Sequence, residues 1–313
     1  MNIPAYLLNY IKNINKGGVT PTGEISITEN GTYDVTDYAS ANVNISGYKL
    51  NSTAKLFYNL HGADKRFIQY KDILKYMVNV NENITCESMF AGNGVSHAEK
   101  IIDLSEFDTK NVTDFSSMFY NSTYKSVILT NLNTSNAETL SYMFGNSTFT
   151  DITTLDLSSF NTSKVTRMDA MFSSCLYLTS LILSNFNTSE VANMSYMFNT
   201  CRNITSLNLS NFVTTKVSNF SHMFYDCRNL VSLNISNFNF CHISSTGLDQ
   251  FITSCSSLDL DSLKGILACL TTVPSGNSHK TLKYIGFTSA QCDSIATTDE
   301  WTALVALGWT TGY

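Results

Sequence analysis

The stretch Leu178–Cys201, LTSLILSNFNTSEVANMSYMFNTC, decides the fold, because closely similar stretches recur on both sides of it. Its first part spaces leucines as L-x-x-L-x-L, and the end of that pattern alternates as a short strand does. From Val191 onward, apolar residues stand at offsets 0, 3, 6, 7 and 10, which is typical of one face of a helix. Between the two parts lie Asn187–Ser189, small polar residues that favour turns. The stretch therefore predicts a strand, a turn and a short helix.

The whole unit repeats along the chain. Its Met-Phe pair returns at spacings of 29, 25, 28, 26 and 26 residues. The pairs begin at Met89, Met118, Met143, Met171, Met197 and Met223. A second column, in step with the first, holds Leu104, Leu129, Leu157, Leu183, Leu209, Ile235 and Leu260. Strand, turn and short helix in units of about 26 residues predict an α/β leucine-rich-repeat solenoid.

Stacked repeats need caps, because one unit buries too little apolar surface to fold alone. We assign residues 86–261 to the solenoid and residues 48–85, which break the repeat, to an N-terminal cap. Residues 262–313 form the predicted C-terminal cap. Within that cap the patterns predict a helix around Leu263–Leu267, a strand at Leu282–Phe287, and one or two helices between Ser289 and Leu307.

Residues 1–47 differ from the repeats and are predicted to attach the chain to something else. A short apolar helix face is followed by a linker and by two alternating segments, Glu24–Val35 and Ala41–Ser46, which we interpret as a β-hairpin segment. So short a helix is stable only when it packs on a partner, so we expect docking into a larger assembly or self-association. The candidate attachment residues are Tyr6, Leu7, Tyr10, Ile11 and Ile14.

Charge and hydropathy exclude two classes of partner. The chain has 19 Lys and Arg against 25 Asp and Glu, and a formal net charge of −6. Because nucleic-acid affinity is built from clustered Lys and Arg, no nucleic-acid partner is expected. No apolar run approaches the roughly 18–20 residues that cross a bilayer, so no membrane insertion is expected. The first residues also lack the features of a secretory signal peptide.

The search for chemistry returns no enzyme motif. No paired histidine ligands, phosphate loop, Rossmann glycines or nucleophile elbow occur, so neither catalysis nor a cofactor or metal is expected. His222 falls within the repeat and is predicted to lie at the surface. One repeat position holds Cys175, Cys201, Cys227 and, slightly out of phase, Cys255. We interpret these as buried structural thiols in a reduced compartment; disulfides or a metal site remain the alternatives.

A surface is therefore the functional candidate. Strand residues between the leucines of such a solenoid share one face, here mostly hydroxyl and amide groups that suit a glycan or a protein strand. The alternative is that stacked Ser and Thr side chains satisfy one another, and the lack of aromatic rings weakens the glycan interpretation. On the opposite side, Asn161, Asn187 and Asn237 are predicted to cap turns. The candidate recognition face consists of Asp103, Ile128, Asp156, Ile182, Asn208, Asn234 and Asp259.

The units Leu155–Ser180 and Leu181–Ser206 resemble the BspA-like leucine-rich-repeat surface proteins of bacteria, mycoplasmas and phages. This resemblance extends from about Ile84 to Leu260 and implies adhesion or recognition without catalysis. In addition, Ile25–Gly47 is similar to a segment of structural proteins from tailed phages that infect Gram-positive bacteria, and Leu282–Tyr313 is similar to the ends of phage-borne repeat proteins.

Together these resemblances imply a virion protein of a tailed phage, assembled in the bacterial cytoplasm. As a tail fibre, baseplate or head decoration, it would bind other virion subunits through residues 1–47. Its solenoid would contact a host surface glycan or protein, and a homo-oligomer such as a trimer is expected. One alternative is a bacterial surface adhesin or secreted interaction module; another is a purely architectural virion subunit.

Overall fold

A computed structural model of the chain describes residues 24–26, 42–44, 84–87, 90–91, 97–104, 109–110, 112–130 and 132–313. The predicted N-terminal cap lies outside these ranges except for residues 84–85. The predicted attachment helix lies entirely outside them; its residues are Tyr6, Leu7, Tyr10, Ile11 and Ile14.

Short strands and four helices make up the regular structure of the described ranges. The strands are β1 Glu24–Ser26, β2 Asn42–Asn44, β3 Ile84–Thr85, β4 His97–Asp103, β5 Val112–Asp114, β6 Thr123–Ile128, β7 Thr148–Phe149, β8 Thr154–Asp156, β9 Ser180–Ile182, β10 Ser206–Asn208 and β11 Ser232–Asn234. The helices are α1 Leu260–Leu270, α2 Leu282–Ile285, α3 Ser289–Ile295 and α4 Asp299–Ala306.

The N-terminal strand pair is not a hairpin. β1 and β2 pair in parallel, with Glu24 opposite Asn42 and Ser26 opposite Asn44. A hairpin joins antiparallel strands through a tight turn, whereas parallel neighbours need a crossover connection. The prediction of a β-hairpin segment is therefore wrong, because alternation of apolar residues indicates a strand but not its direction.

Parallel pairing recurs from one coil of the chain to the next. The sets are β3–β5, β4–β6–β7, β8–β9 and β10–β11, and leucine lies opposite leucine in Leu155–Leu181 and Leu207–Leu233. A second parallel ladder of single bridges passes through Asp114, Thr139, Arg167, Asn193 and Asn219. Successive units therefore stack in the same direction, which confirms a solenoid-like repeat.

The helix predicted within each unit is not formed. In the stretch from Val191 to Cys201 the backbone φ is +59° at both Tyr196 and Thr200, a left-handed conformation that no right-handed helix contains. The amides of Tyr196, Phe198 and Thr200 instead donate to carbonyl groups of the next coil, at 3.0, 2.9 and 2.7 Å. Amides between them, such as that of Met197, close turns within their own coil.

The same pair of positive-φ residues, four positions apart, occurs in six successive coils of the described ranges. The first member is Ser117, Tyr142, Ala170, Tyr196, His222 or Gln250, and the second is Asn121, Asn146, Ser174, Thr200, Asp226 or Ser254. The apolar spacing was compatible with a helix, but alternate amides bond across coils and not along the chain. We call the segment from the first to the second member the Met-Phe turn.

Phenylalanine rings stack along the interior. One column has ring centroids 5.4–5.9 Å apart, and a second has them 6.3–6.5 Å apart. The first column comprises Phe90, Phe119, Phe144, Phe172, Phe198 and Phe224, and the second Phe160, Phe186, Phe212 and Phe238. Each coil thus buries its aromatic side chains against equivalent rings of its neighbours.

Buried threonines hold the coils together on another side. The Thr188 hydroxyl donates to the Val213 carbonyl at 2.9 Å and accepts from the Val213 amide at 2.8 Å. Thr109, Thr134, Thr162 and Thr214 make the same two bonds. A buried hydroxyl needs both a donor and an acceptor nearby, and the adjacent coil supplies both.

The neighbouring asparagines cap turns, as predicted. The Asn161 and Asn187 side chains accept from the amides of Ser163 and Ser189, two residues ahead. The Asn237 side-chain amide instead donates to the Ser210 carbonyl of the preceding coil.

Beyond the last coil the chain becomes helical. The predicted helix around Leu263–Leu267 is confirmed as α1, and the predicted helical region from Ser289 to Leu307 as α3 and α4. The strand predicted at Leu282–Phe287 is wrong, because α2 occupies most of this segment. Gly286, with φ +105°, is the C-cap of this helix. Leu260 also leaves the leucine column: it is exposed at the start of α1, so the buried column ends at Ile235.

Candidate functional site

The predicted recognition face forms a column on the strands. In-register pairs bring Asp103 beside Ile128, Asp156 beside Ile182, and Asn208 beside Asn234. These three pairs belong to separate sets of hydrogen-bonded strands. All members except Asp103, which is located by its backbone alone, and Asp259 are exposed strand residues. We call this set without Asp259 the strand column.

Polar members of the strand column already serve the fold. The side-chain oxygens of Asp156, Asn208 and Asn234 accept from the backbone amide two residues ahead, at 2.9, 3.2 and 3.1 Å. For Asp156, this backbone bond from Ser158 lowers the pKa of the carboxyl group. Each of these side chains closes the turn that follows its strand, which leaves only part of its hydrogen-bonding capacity for a ligand.

Asp259 does not belong to the face. It is the N-cap of α1, and its carboxylate accepts from the Ser262 amide at 2.8 Å. An N-cap aspartate satisfies one of the free amides of the first helical turn. The placement of Asp259 in the column is therefore wrong, because the strand periodicity was extended one unit too far.

A second exposed column, which the sequence interpretation missed, lies on the Met-Phe turns. Tyr142 and Tyr196 are 41% and 39% exposed, and both are first members of the turn. Tyr120 meets Tyr142 edge-on at 5.8 Å, and Tyr196 stacks on His222 at 4.6 Å. We call Tyr142, Tyr196, His222 and Gln250 the turn column. Its aromatic rings supply what the strand column lacks.

Charged groups near the turn column are paired. The Arg167 guanidinium makes two bonds to the buried Asp169 carboxylate, at 3.0 and 3.1 Å. Further along, Arg202 and Arg228 both donate to Asp226. Burial raises the pKa of Asp226, but these hydrogen bonds outweigh burial and hold it below its usual value. Both carboxylates are structural partners of arginine.

At its C-terminal end the turn column opens into a cavity of about 480 Å³, which we call the end pocket. Asp249 and Gln250 of the last coil face Thr281, Lys283 and Tyr284 around α2. The Gln250 amide donates to the Tyr284 carbonyl at 3.1 Å, so that α2 takes the place of a further coil. Beside the pocket, the His279 ring lies 4.1 Å from the Tyr284 ring.

Two side-chain atoms near the end pocket are buried without a hydrogen-bond partner: His222 Nδ1 and Asp249 Oδ1. Burial lowers the pKa of His222, against the opposing effect of Asp249. Burial, together with a hydrogen bond to Asp249, raises the pKa of Tyr284 to about 12. At neutral pH the imidazole is therefore uncharged and the phenol keeps its proton.

Sequence reasoning missed the end pocket for a physical reason. Asp249 and Gln250 take the place that a Ser or Asp and the first turn residue hold in earlier coils, but no Met-Phe pair follows them. Because a strand was predicted at Leu282–Phe287, the sequence interpretation did not indicate that Tyr284 lies against the last coil. His222 was predicted at the surface, whereas the structure half-buries it under the Tyr196 ring. The available signal was the loss of the repeat after Phe224.

The predicted cysteine column is confirmed, and it includes Cys255. The thiols of Cys175, Cys201, Cys227 and Cys255 donate to phenylalanine carbonyls of the preceding coil, at distances from 2.8 to 3.1 Å. Burial raises the pKa of Cys175 to about 12. Seven of the eight cysteines are buried free thiols, and Cys241 is exposed. In the described ranges no three His, Cys, Asp or Glu side chains are arranged to hold a metal ion.

One known protein family matches most of the chain. The family model described as "Mycoplasma protein of unknown function, DUF285" matches three overlapping stretches, residues 34–154, 84–176 and 146–261. The chain belongs to this family. The resemblance to BspA-like repeat proteins is thereby confirmed at the level of the repeat family. No curated protein and no solved structure matches the chain.

None of the helices in the described ranges is long and apolar enough to cross a bilayer.

Proposed function

We propose that this DUF285 protein is a recognition subunit without catalytic activity, a leucine-rich-repeat solenoid that contacts a cell surface. In this proposal it belongs to the virion of a tailed phage, as a tail fibre, baseplate or head decoration. Residues 1–47 bind other virion subunits, and the solenoid faces a glycan or protein of the host. Copies of the chain act together, as a trimer or another homo-oligomer.

One observation carries the proposal: exposed polar and aromatic side chains recur at equivalent positions of several coils. The strand column has an exposed Asp or Asn in three coils, as Asp156, Asn208 and Asn234, and the turn column adds partly exposed tyrosines. The buried threonines and cysteines bond between coils, whereas the polar side chains of the strand column close turns within their own coil and keep part of their hydrogen-bonding capacity for a ligand. Many weak contacts of one kind, multiplied by copy number, give strong adhesion without any one tight site.

A rival proposal is a bacterial surface adhesin or secreted interaction module. The description of the matching family names a bacterium, Mycoplasma, and this favours the rival over a phage origin. A purely architectural virion subunit is the second rival, in which the exposed columns pack on neighbouring subunits.

Flow cytometry with the fluorescently labelled full chain, alone and displayed on beads, tests for recognition on a panel of Gram-positive and mycoplasma cells. Asn208→Lys with Asn234→Lys places two positive charges on the strand column. The matched control places two on exposed turn residues, Ser163→Lys with Thr215→Lys. A third variant, Tyr142→Ser with Tyr196→Ser, removes the rings of the turn column.

We expect the wild-type protein to bind at least one cell type and the control to match it. Reduced binding by the lysine variant assigns recognition to the strand column; reduced binding by the serine variant assigns it to the turn column. If neither the free nor the bead-displayed protein binds any cell, recognition is refuted and the architectural rival is favoured. Immunogold labelling of phage particles against the surface of uninfected bacteria separates virion from cell-surface placement.

A further inference from the structure

The end pocket is the place where the coil-to-coil ladder stops. In each earlier coil the first residue of the Met-Phe turn donates to the next coil, as His222 does to the Asp249 carbonyl at 2.8 Å. Gln250 donates to Tyr284 of α2. Because α2 is not a copy of a coil, side chains at this junction face a cavity and not an equivalent side chain. Its volume of about 480 Å³ lies within the usual range of small-ligand sites, roughly 300–1,000 Å³.

Polar atoms at this junction lack partners. Among the described residues, His222 Nδ1 and Asp249 Oδ1 are the only buried side-chain nitrogen or oxygen atoms that no hydrogen bond reaches. The repeat body shows the opposite, since its buried threonine hydroxyls make two bonds each. Buried polar groups in folded proteins are nearly always satisfied. Of these two residues, only Asp249 lines the cavity. A lining carboxylate that lacks a partner at one oxygen marks a site that binds a polar ligand.

The charges of the pocket favour a neutral ligand. The pocket is lined by one acidic residue, Asp249, and one basic residue, Lys283. The formal charges of these two side chains cancel, so the lining does not favour a cation or an anion. The Lys283 ammonium also lies 4.9 Å from the centre of the Tyr313 ring. His222 is uncharged at neutral pH, because burial lowers its pKa. Among the lining residues, Asp249 offers a carboxylate acceptor, and Gln250 and Thr281 offer polar side chains, which the hydroxyl groups of a ligand match.

Flat rings lie at both ends of this arrangement. Tyr284 lines the pocket and contacts the His279 ring at 4.1 Å. On the other side Tyr196 covers His222 at 4.6 Å and remains 39% exposed. A tyrosine ring offers an apolar face with a polar edge. Such a face suits the C–H side of a sugar ring, while the hydroxyls reach the polar atoms.

We propose that the end pocket binds a neutral saccharide, whose hydroxyl groups bond to the Asp249 carboxylate and whose ring packs on Tyr284. This inference rests on the proposed recognition function and names the class of surface molecule recognised. It moves the glycan contact away from the strand column, where aromatic rings are missing, to the end of the turn column.

Saturation-transfer NMR on the full chain tests the assignment. The saccharide probes are N-acetylglucosamine, glucose, galactose and rhamnose as methyl glycosides at millimolar concentration; choline and methyl phosphate serve as charged probes. Asp249→Asn changes the pocket carboxylate, and Asp293→Asn makes the same change at an exposed position of α3, outside the pocket lining and both columns. Tyr284→Phe is a second pocket variant. Circular dichroism melting confirms that each variant is folded.

We expect at least one saccharide to bind the wild-type protein and the Asp293→Asn control equally. Binding should weaken by about tenfold or more in Asp249→Asn, because hydrogen bonds to a charged group are among the stronger ones. Tyr284→Phe should weaken it less.

Three outcomes overturn the inference: no saccharide binds, a saccharide binds but neither pocket variant weakens it, or only choline or methyl phosphate binds the pocket. The recognition function is judged separately by cytometry. If the wild-type protein still adheres to cells in any of these cases, only the saccharide assignment fails. If no cell is bound, the recognition function fails whatever the NMR result.

Discussion

The repeat body, residues 112–259, and the C-terminal segment, residues 260–313, treat their polar groups differently. In the body, the Thr188 hydroxyl, the Cys201 thiol and the Thr200 amide all bond to an adjacent coil. At the junction with the C-terminal segment, the Asp249 carboxylate faces a cavity and keeps one oxygen unpartnered. Repetition therefore satisfies polar groups, because every donor meets the matching acceptor of the next copy. Unpaired groups arise where the copies end.

The largest expected contrast is in thiol reactivity. Cys241 is exposed, whereas Cys201 is buried and its pKa is raised well above the usual value, first by burial. Alkylation of Cys201 requires opening of the body, so we expect it to be at least about a thousandfold slower than alkylation of Cys241. Mass-spectrometric mapping of iodoacetamide labelling over time measures both rates. Comparable rates would mean that the body opens independently of global unfolding.

Phenylalanine truncation compares the two regions directly. Phe198 stacks on rings of both neighbouring coils, while Phe287 is equally buried in the C-terminal segment without such a stack. Each change to alanine should lower the free energy of unfolding by about 3–5 kcal/mol. Stacking on two sides should make the loss larger for Phe198→Ala, by about 1 kcal/mol. Urea titration gives both values, and an equal or smaller loss for Phe198→Ala would refute a special role of the column.

A smaller loss of stability is expected when the hydrogen bonds of a buried threonine to the adjacent coil are removed. Thr188→Val keeps the side-chain shape but leaves the amide and carbonyl of Val213 without their partner. The free energy of unfolding should fall by about 1–3 kcal/mol, the cost of unsatisfied buried groups. Thr188→Ser keeps the hydroxyl and is the matched control, expected to lose less in urea unfolding. A loss in Thr188→Val no larger than that in Thr188→Ser would contradict a stabilising role of these two hydrogen bonds.

The smallest effect concerns pH. The pKa of His222 is lowered in the folded protein from its usual 6.5, chiefly by burial, so below pH 6.5 the unfolded chain binds a proton first. Stability should therefore be complete above that value and fall as the pH drops through it. His222→Gln should flatten the dependence of the melting temperature between pH 7 and 5, whereas the exposed control His242→Gln should leave it unchanged. An unaltered slope in His222→Gln would contradict this prediction.

Local patterns in the sequence predicted some features better than others. The Met-Phe period predicted stacked coils, the cysteine column and the turn-capping roles of Asn161 and Asn187, and all three are confirmed. The helix inside each unit was wrong, because the spacing of apolar residues reports which side chains are buried and not where the amides bond. The residues of the predicted recognition face lie together on the strands, except for Asp259. The role of the strand column in recognition stays a prediction.

The candidate sites divide in the same way. The exposed Asp and Asn of the strand column were visible in the sequence, since they hold one repeat position. The turn column was not, because a predicted helix obscures which residues are exposed between Met194 and Cys201. The end pocket could not be predicted from local sequence patterns, because Asp249 and Tyr284 come together only when α2 replaces a coil.

By itself the sequence determined the repeat: its period, the columns of Phe, Thr and Cys, and the parallel stacking that lets identical side chains meet. Only the tertiary structure decided the backbone path of the Met-Phe turn and the pocket at its end. The physical reason is that a column needs nothing but equal spacing along the chain. Left-handed residues such as Tyr196 depend on acceptors that another coil supplies, and these exist only after the coils have stacked.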